Sequence, residues 1–246
     1  MSSGSTKRPR AHKRGAETAP TKTRRRVRTE VAPPELAAWQ LHVLDAVARS
    51  KLASEVVFGG GAALAVRHLH HRRSEDLDFF LSRELEDGEL RPLTRSLVVG
   101  GVQIDEQQVG PRRTLLLLRG RNELGRIDFA FYPYDAIARR ERWRGLVVES
   151  LLDMTVNKVQ ALLTRFRPRD FVDLYFLLRE GPELDLDRLL DFVRAKFDAG
   201  ADRLALAHRM LLASGIDEFP AMLRPVTRDE LVTFFETQAR ALIRRG

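Results

Sequence analysis

Two aspartates, Asp76 and Asp78, stand two residues apart at the start of a predicted β-strand over Leu77–Leu81. Residues two apart in a strand point to the same face of a sheet, so the two carboxylates lie side by side. Such carboxylates repel each other unless a cation lies between them, and hard oxygen ligands suit Mg²⁺ or Mn²⁺ together with substrate phosphates. The spacing therefore predicts a divalent-metal site. The alternative is a solvent-facing pair of aspartates at a strand end.

A run of three glycines, Gly59–Gly61, precedes this pair and connects a predicted strand at Val56–Phe58 to a predicted helix at Ala62–His70. A glycine-rich turn that leads into a helix lets backbone N–H groups approach a phosphate closely. The P-loop motif is absent because no Gly-Lys-Ser/Thr follows, and the dinucleotide-binding fingerprint is absent because Leu64 replaces a small residue. The turn therefore predicts a phosphate site of another kind.

A third carboxylate, Asp128, lies on a predicted strand over Arg126–Tyr132. Ile127, Phe129 and Phe131 alternate toward one face of this strand, and Asp128 points to the other face. An acid near a metal pair could complete a two-metal site or act as the base for an attacking hydroxyl. The alternative, an aspartate on the solvated face of an amphipathic strand, fits the pattern equally well.

The positive charge of the chain is concentrated at its N-terminus. The 246 residues have a formal net charge of +8, but residues 1–30 alone hold ten bases and two acids. The other 216 residues carry 32 bases and 32 acids. The first thirty residues lack large apolar side chains, which predicts a disordered basic tail that touches polyanions or has no specific partner. A mitochondrial-type presequence would need an apolar stripe that is missing here.

Composition excludes several classes of protein. The chain has no cysteine, which rules out disulfide scaffolds, thiolate zinc sites and cysteine nucleophiles. Its longest run without a charged residue, Val56–Val66, spans eleven residues, whereas a bilayer requires about 20. No secretory signal is present near the N-terminus, so we expect a cytoplasmic protein that does not contact a membrane.

The hydrophobic period changes near residue 149. Before it, strands and helices alternate, and the four leucines in the predicted strand Thr114–Leu118 suggest burial on both faces. After it, a period of 3.6 predicts helices only. We therefore predict an α/β (α+β) protein with a tail at residues 1–30, a mixed-sheet core at 31–148 and a helical domain at 149–246. The predicted helices of that domain are Leu151–Phe166, Asp170–Arg179, Leu184–Phe197, Ala201–Ala213 and Arg228–Arg244.

Charged residues on the first two of these helices are candidates for chemistry. Lys158 and Arg165 share an edge near an apolar helix face, although a helical lysine is usually a solvated charge. Asp170 follows a proline and is typical of a helix N-terminus. Asp173 lies closer to core positions and is the better candidate for chemistry. Among the basic residues before the acid pair, either Arg72 or Arg73 could contact a phosphate.

Together these motifs resemble the AbiEii-type nucleotidyltransferases, a toxin family within the DNA polymerase β-like superfamily. Four elements appear in the family's order, namely Phe-Gly-Gly-Gly at Phe58–Gly61, His71–Phe80, Lys158–Arg165 and Arg169–Leu174. The resemblance covers about half of the chain. It implies a polymerase β-like nucleotidyltransferase core with a mixed sheet, followed by an all-helical C-terminal part.

The resemblance also implies roles for individual residues. Asp76 and Asp78 would bind Mg²⁺, and Asp173, ahead of Asp170, would be the candidate base. Asp128 is the candidate base that the strand pattern offers independently of the resemblance. Gly59 and Gly60 would hold the triphosphate, Ser74 would lie at the entry to the acid pair, and Lys158 would contact the nucleotide phosphates. From the residues themselves we add Gly61 and Arg73 as nucleotide-binding candidates. Many relatives carry Thr or Ser at the position of Gly61, so one hydroxyl contact is missing here.

The implied reaction is transfer of a nucleoside monophosphate from an NTP to an acceptor hydroxyl, with release of pyrophosphate. Toxin relatives point to the 3′ end of tRNA as the acceptor and to a cognate antitoxin, commonly a DNA-binding regulator. One alternative is a protein or small-molecule acceptor. Another is an inactive domain that binds nucleotide or RNA without turnover.

Overall fold

The computed structural model describes Met1, Gly4, residues 33–181 and residues 183–244. The predicted disordered tail at residues 1–30 falls outside the described residues, apart from Met1 and Gly4. The described residues from Pro33 onward all belong to one compact unit, Ala32–Gly246. The predicted domain boundary near residue 149 lies inside that unit and stays a prediction.

The described part of the chain contains a seven-stranded mixed sheet. Its strands are β1 (Val57–Gly59), β2 (Asp76–Leu81), β3 (Val102–Val109), β4 (Arg112–Arg119), β5 (Asn122–Phe131), β6 (Glu141–Trp143) and β7 (Leu146–Val148). The spatial order is β3-β4-β5-β2-β1-β7-β6. Strand β2 runs parallel to β5, and β1 runs parallel to β7, while the other neighbours are antiparallel. This arrangement confirms the predicted mixed sheet and adds β6 and β7, which the sequence pattern did not reveal.

Eight α-helices accompany the sheet in the described residues. They are α1 (Ala38–Arg49), α2 (Gly60–Leu64), α3 (Arg91–Leu97), α4 (Leu151–Thr164), α5 (Pro168–Glu180), α6 (Leu186–Phe197), α7 (Arg203–Leu211) and α8 (Arg228–Arg244). Helix α2 continues without a break into a π-helical turn over Ala65–Leu69. The five helices predicted after residue 150 are confirmed, with ends that differ by a few residues.

Alternation along the central strands separates an apolar face from a polar one. Leu77 and Phe79 of β2 are fully buried, as are their partners Ile127 and Phe129 of β5, and the rings of Phe79 and Phe129 stack at 5.1 Å. Trp39 of helix α1 covers this face, so close to β5 that a Cβ at Gly125 would lie 2.1 Å from its ring. The apolar face thus forms the core, and the polar face is left to the site.

Strand β4 differs from its prediction. Leu115 and Leu117 are buried, but Leu116 and Leu118 are partly exposed. The strand lies second from the sheet edge, and its burial alternates along the chain. Burial of the four leucines on both faces was therefore wrong.

The polar face lies across a cavity from helix α4. Ser150 caps this helix by accepting a hydrogen bond from the backbone N–H of Asp153 at 3.0 Å. Its buried stripe, which includes Met154, Val156, Val159 and Leu162, fixes the helix against the rest of the core. Its neighbouring positions can therefore present polar side chains to the cavity. None of the described helices is long and apolar enough to cross a membrane.

Candidate active site

Strand register brings the three predicted carboxylates together on the polar face. Asp78 of β2 is paired with Asp128 of the parallel strand β5, and Asp128 with Thr114 of β4. Asp76 stands one pleat away, beside Arg126. Paired positions on neighbouring strands share a face, so Asp76, Asp78 and Asp128 form one group, called here the sheet acids. A cavity of about 330 Å³ opens over them.

The three sheet acids have different surroundings. Asp76 accepts hydrogen bonds from Arg126 at 2.7 Å and from Arg169 at 3.2 Å. Asp128 accepts one from the Thr114 hydroxyl at 2.6 Å, and its second oxygen lies 3.4 Å from Arg126 Nε. For Asp78, the described residues provide no hydrogen bond or ion pair.

The surroundings of Asp78 disfavour the ionised form of its carboxyl. Burial raises the pKa of its carboxyl, and the negative charges of Asp128 and Asp76 raise it further, against the weaker effects of Lys158 and Arg169. A carboxylate that has lost water and gained two like-charged neighbours needs a cation to be stable in its ionised form. The geometry therefore favours binding of a positively charged ligand at Asp78.

Gly60 allows the glycine turn to approach this carboxylate. Its φ of +66° is unfavourable for other residues, and a Cβ there would lie 2.1 Å from Asp78 Oδ2. The helix begins at Gly60 rather than at Ala62, so the glycines belong to its first turn. The free N–H groups of that turn therefore lie next to the sheet acids, as phosphate binding requires.

The sheet acids fit a divalent ion by their chemistry. Three carboxylates from two strands supply hard oxygen donors, and one of them has no counter-charge of its own. In the described residues, however, no group of three His, Asp or Glu side chains is arranged as a ready-made metal site. The reason is visible in the contacts, because Arg126 and Arg169 hold Asp76 and turn its carboxylate toward themselves.

A second cluster of charges lies between the helices and is fully buried. Asp173 of α5 accepts two hydrogen bonds from Arg72 at 2.6 and 2.8 Å, bonds His71 Nε2 at 2.7 Å, and lies 2.7 Å from Lys158 Nζ. Asp170 bonds the same lysine at 2.8 Å. We call these five residues the helix ion cluster.

The helix ion cluster lowers the pKa values of its acids. Burial acts to raise the pKa of Asp173, but the charges of Arg72 and Lys158 and the hydrogen bonds overcome it and hold that pKa well below the ordinary value. The pKa of Asp170 is lowered in the same way, mainly by Lys158. An acid this strong accepts a proton poorly at neutral pH, so the geometry favours Asp128 over Asp173 as the base.

The other predicted residues divide between two cavities. Lys158 lines the cavity over the sheet acids, together with Gly60, Gly61 and Ser74. Gly59 lies at its floor, paired with Asp78. Arg73, by contrast, is exposed, donates to the Pro34 carbonyl at 3.1 Å and lines a neighbouring groove.

Arg72 is the other arginine that the sequence offers for a phosphate contact. It is 2% exposed, and its Nη2 lies 2.5 Å from the position a Cβ would take at Gly61. The sequence offers both arginines, but no local pattern in it indicates that Arg72 is buried and Arg73 is exposed. The phosphate contact thus belongs more naturally to Arg72.

Sequence analysis missed Glu149, which also lines the cavity. This glutamate is 3% exposed and directly follows β7, and its backbone N–H donates to the Phe58 carbonyl at 3.1 Å. Burial raises the pKa of its carboxyl to about 7. Strand β7 has only three residues, so no alternation pattern could have indicated the site.

Comparison with known proteins identifies the family. The model of the family described as "Nucleotidyl transferase AbiEii toxin, Type IV TA system" matches residues 42–243, which is most of the chain. The chain belongs to the AbiEii nucleotidyltransferase toxin family. No curated protein sequence matches it.

Solved structures share the fold at low identity. JHP933 from Helicobacter pylori is 18% identical, with a TM-score of 0.55 over 84% of this chain and 90% of that one. A putative nucleotidyltransferase from H. pylori is also 18% identical, with a TM-score of 0.53 over 84% and 92% of the two chains. MenT4, a nucleotidyltransferase toxin from Mycobacterium tuberculosis H37Rv, is again 18% identical, with a TM-score of 0.54 over 83% and 81%.

Membership in the AbiEii family confirms the predicted polymerase β-like fold and the predicted enzyme class. The chain is a nucleotidyltransferase of a toxin–antitoxin family, and the family implies an NTP as substrate. The family also implies an antitoxin partner. The metal, the acceptor and the roles of individual residues remain to be argued from the cavity.

Proposed function

We propose that this AbiEii-family protein is a Mg²⁺-dependent toxin that transfers a nucleoside monophosphate from an NTP to the 3′-terminal hydroxyl of tRNA. The observation that carries the proposal is Asp78, a desolvated carboxylate without a counter-charge, flanked by Asp76 and Asp128 and placed against the glycine turn. A nucleotidyl transfer site needs this combination of negative charge for metal and N–H groups for phosphate.

The phosphates are held by the glycine turn and two buried cations. The N–H groups of Gly60 and Gly61 face the β- and γ-phosphates. The charges of Arg72 and Lys158 neutralise those groups as pyrophosphate leaves. Both cations are fixed by Asp173, so they need no reorganisation during the reaction. Such preorganised charge lowers the barrier most effectively in a site that excludes water.

Asp76 and Asp78 are the residues that would hold Mg²⁺, with Asp128 beside them. When bound, the ion neutralises charge on the triphosphate and aligns the attack. The acceptor oxygen forms a bond to the α-phosphorus, the bond to the β-phosphate oxygen breaks, and pyrophosphate departs. Asp128 takes the hydroxyl proton, while Thr114 fixes one oxygen of its carboxylate.

Arginines around the cavity support a polyanionic acceptor. Six arginines line it: Arg72 of the helix ion cluster, Arg112 on β4, Arg126 on β5, Arg165 and Arg167 between α4 and α5, and Arg169 on α5. Burial and the charges of Arg165 and Arg169 lower the pKa of Arg167, which shows that like charges crowd together at this position. Phosphates of an RNA backbone would relieve that repulsion and give salt-sensitive binding.

The proposal extends to the organisation of the system. We assign residues 31–148 to the catalytic core and 149–246 to a helical domain that supplies Lys158 and its partners. A cognate antitoxin, a DNA-binding regulator, would be encoded beside the toxin. Action on tRNA would place the protein in the cytoplasm.

The test is incorporation of α-labelled NTPs, one at a time with Mg²⁺, into total tRNA. Label is expected with wild type and not with Asp76→Ala/Asp78→Ala. Asp105→Ala, at an exposed position on β3, serves as the matched control and should label normally. Label found in protein or small molecules and not in tRNA would show that tRNA is not the acceptor. Equal labelling by the double variant would refute the site.

A further inference from the structure

One corner of the cavity is not used by the phosphates, the metal or the acceptor. Phe80 of β2, Glu149 after β7 and Asn157 of α4 line it. We call these three residues the cavity corner. Phe80 follows Asp78 by two residues on the same face, which places it about 6–7 Å farther along the strand. Its partner on β5 is Ala130, whose small side chain leaves space beside the ring.

The aromatic ring of the cavity corner is held in place. Phe80 stacks on Tyr132 with ring centroids 4.7 Å apart and an angle of 29° between the planes. On its other edge it packs so closely on Gly59 that a Cβ there would lie 2.4 Å from Phe80 Cε2. A partly exposed ring with fixed orientation provides a stacking surface for a planar ligand.

Glu149 adds an unpaired hydrogen-bonding atom beside this ring. Its Oε1 accepts a hydrogen bond from Asn157 Nδ2 at 2.9 Å. Its Oε2 is buried and has no partner among the described residues, and a Cβ at Gly59 would lie 2.4 Å from it. Buried polar atoms are nearly always paired, so this oxygen can gain a partner when its carboxyl turns toward a ligand in the cavity that Glu149 lines.

The orientation of Asn157 is fixed by its other contacts. Its Oδ1 accepts hydrogen bonds from the Tyr132 hydroxyl at 2.7 Å and from Lys196 Nζ at 3.1 Å. Two donors on the oxygen leave only the amide nitrogen to face Glu149. Glu149 therefore keeps one oxygen occupied and one oxygen free.

We propose that the cavity corner binds the nucleoside of the NTP, with the base stacked on Phe80 and a donor group of the nucleoside hydrogen-bonded to the free Oε2 of Glu149. The inference rests on the proposed function, because it assumes that the triphosphate lies at the glycine turn. The donor is a sugar hydroxyl or an exocyclic amino group, both of which a carboxylate oxygen accepts.

The test separates nucleoside binding from phosphate binding. Affinities of the full chain for a non-hydrolysable NTP analogue and for inorganic tripolyphosphate, both with Mg²⁺, are measured by calorimetry. In Glu149→Gln and in Phe80→Leu, we expect the analogue to bind roughly tenfold more weakly and tripolyphosphate to bind as in wild type. Glu106→Gln and Phe166→Leu change exposed residues outside the cavity and should alter neither affinity.

Analogues distinguish the two donors. If the donor is a sugar hydroxyl, the effect of Glu149→Gln disappears with the 2′- or 3′-deoxy analogue. If it is an amino group, the effect disappears with bases that lack one, such as uracil. An unchanged affinity of both cavity-corner variants for every analogue would overturn the nucleoside subsite. Failure of the wild type to bind any NTP would instead overturn the proposed function.

Discussion

Asp78 on strand β2 is partly buried and Asp173 on helix α5 is fully buried, and their neighbours carry opposite charges. Asp78 lies beside two further carboxylates, and burial together with these charges raises its pKa. Asp173 is bonded to Arg72, His71 and Lys158, and its pKa is held well below the ordinary value despite burial. Among the sheet acids, Asp78 has no ion-pair partner in the described residues, whereas each carboxylate oxygen of the helix ion cluster has one.

This difference distinguishes the sheet acids, a candidate ligand-binding site, from the helix ion cluster, which supports that site. Carboxylates that repel each other are found together in folded proteins at sites where a ligand offsets their charge. The open cavity over the sheet acids agrees with such a site. Each carboxylate oxygen of the helix ion cluster has a partner, so we expect this cluster to hold Arg72 and Lys158 beside the glycine turn. Substitutions in the two clusters should therefore change different properties of the protein.

The largest effect is expected from Asp78→Asn. Removing this charge should lower nucleotidyl transfer by about 10³-fold, because the site loses its central metal ligand. Stability in urea should stay the same or rise, since repulsion with Asp76 and Asp128 is relieved. Initial rates of label transfer and equilibrium unfolding measure the two quantities. A strongly destabilised Asp78→Asn protein would contradict the repulsion assigned to this residue.

Asp173→Asn should show the reverse pattern. Breaking a buried ion pair leaves Arg72 and Lys158 without compensation, and we expect a loss of about 3–5 kcal/mol in the free energy of unfolding. Urea denaturation monitored by tryptophan fluorescence measures this loss. Near-normal stability combined with abolished transfer would instead restore Asp173 as the base.

The pH dependence of the stability of Glu149→Gln tests the raised pKa of Glu149, a further buried acid. The pKa of Glu149 rises from 4.5 to about 7 on folding, mainly by burial and against the charge of Lys196. The neutral form favours the folded state, so this stabilisation is full below pH 4.5 and is lost as the pH rises through 7. The variant should be more stable than wild type by up to about 3 kcal/mol at pH 8 and by little at pH 4.5. A difference that does not depend on pH would contradict the shift.

The smallest effect on stability is expected from Arg167→Gln. This arginine is crowded by Arg165 and Arg169, so its removal should change the free energy of unfolding by less than about 0.5 kcal/mol. Binding of tRNA should weaken, and the slope of log affinity against log salt should fall by about one. Filter binding at several salt concentrations provides the slope. An unchanged slope would remove Arg167 from the acceptor surface.

The two clusters were also predictable to different degrees. Alternation along β2 and β5 was enough to separate Asp76, Asp78 and Asp128 from the apolar residues of their own strands, because a strand's period of two is a local property. The pairing of β2 with β5, which puts the three acids on one face, was not predicted. The partners of Asp173 come from loops and helices far apart in sequence, so no local pattern distinguishes a saturated acid from a base. Sequence analysis missed Glu149 for a related reason, since the three-residue strand β7 is defined by its pairing with β1 and β6.

The most direct test of the account is metal binding by the sheet acids. Free Mn²⁺ can be titrated by its electron paramagnetic resonance signal in the presence of a non-hydrolysable NTP analogue. Wild type and Asp105→Asn should bind Mn²⁺ stoichiometrically, and Asp78→Asn should lose most of this binding. Mn²⁺ binding by Asp78→Asn that equals that of the wild type would contradict the central claim that these carboxylates form the metal centre.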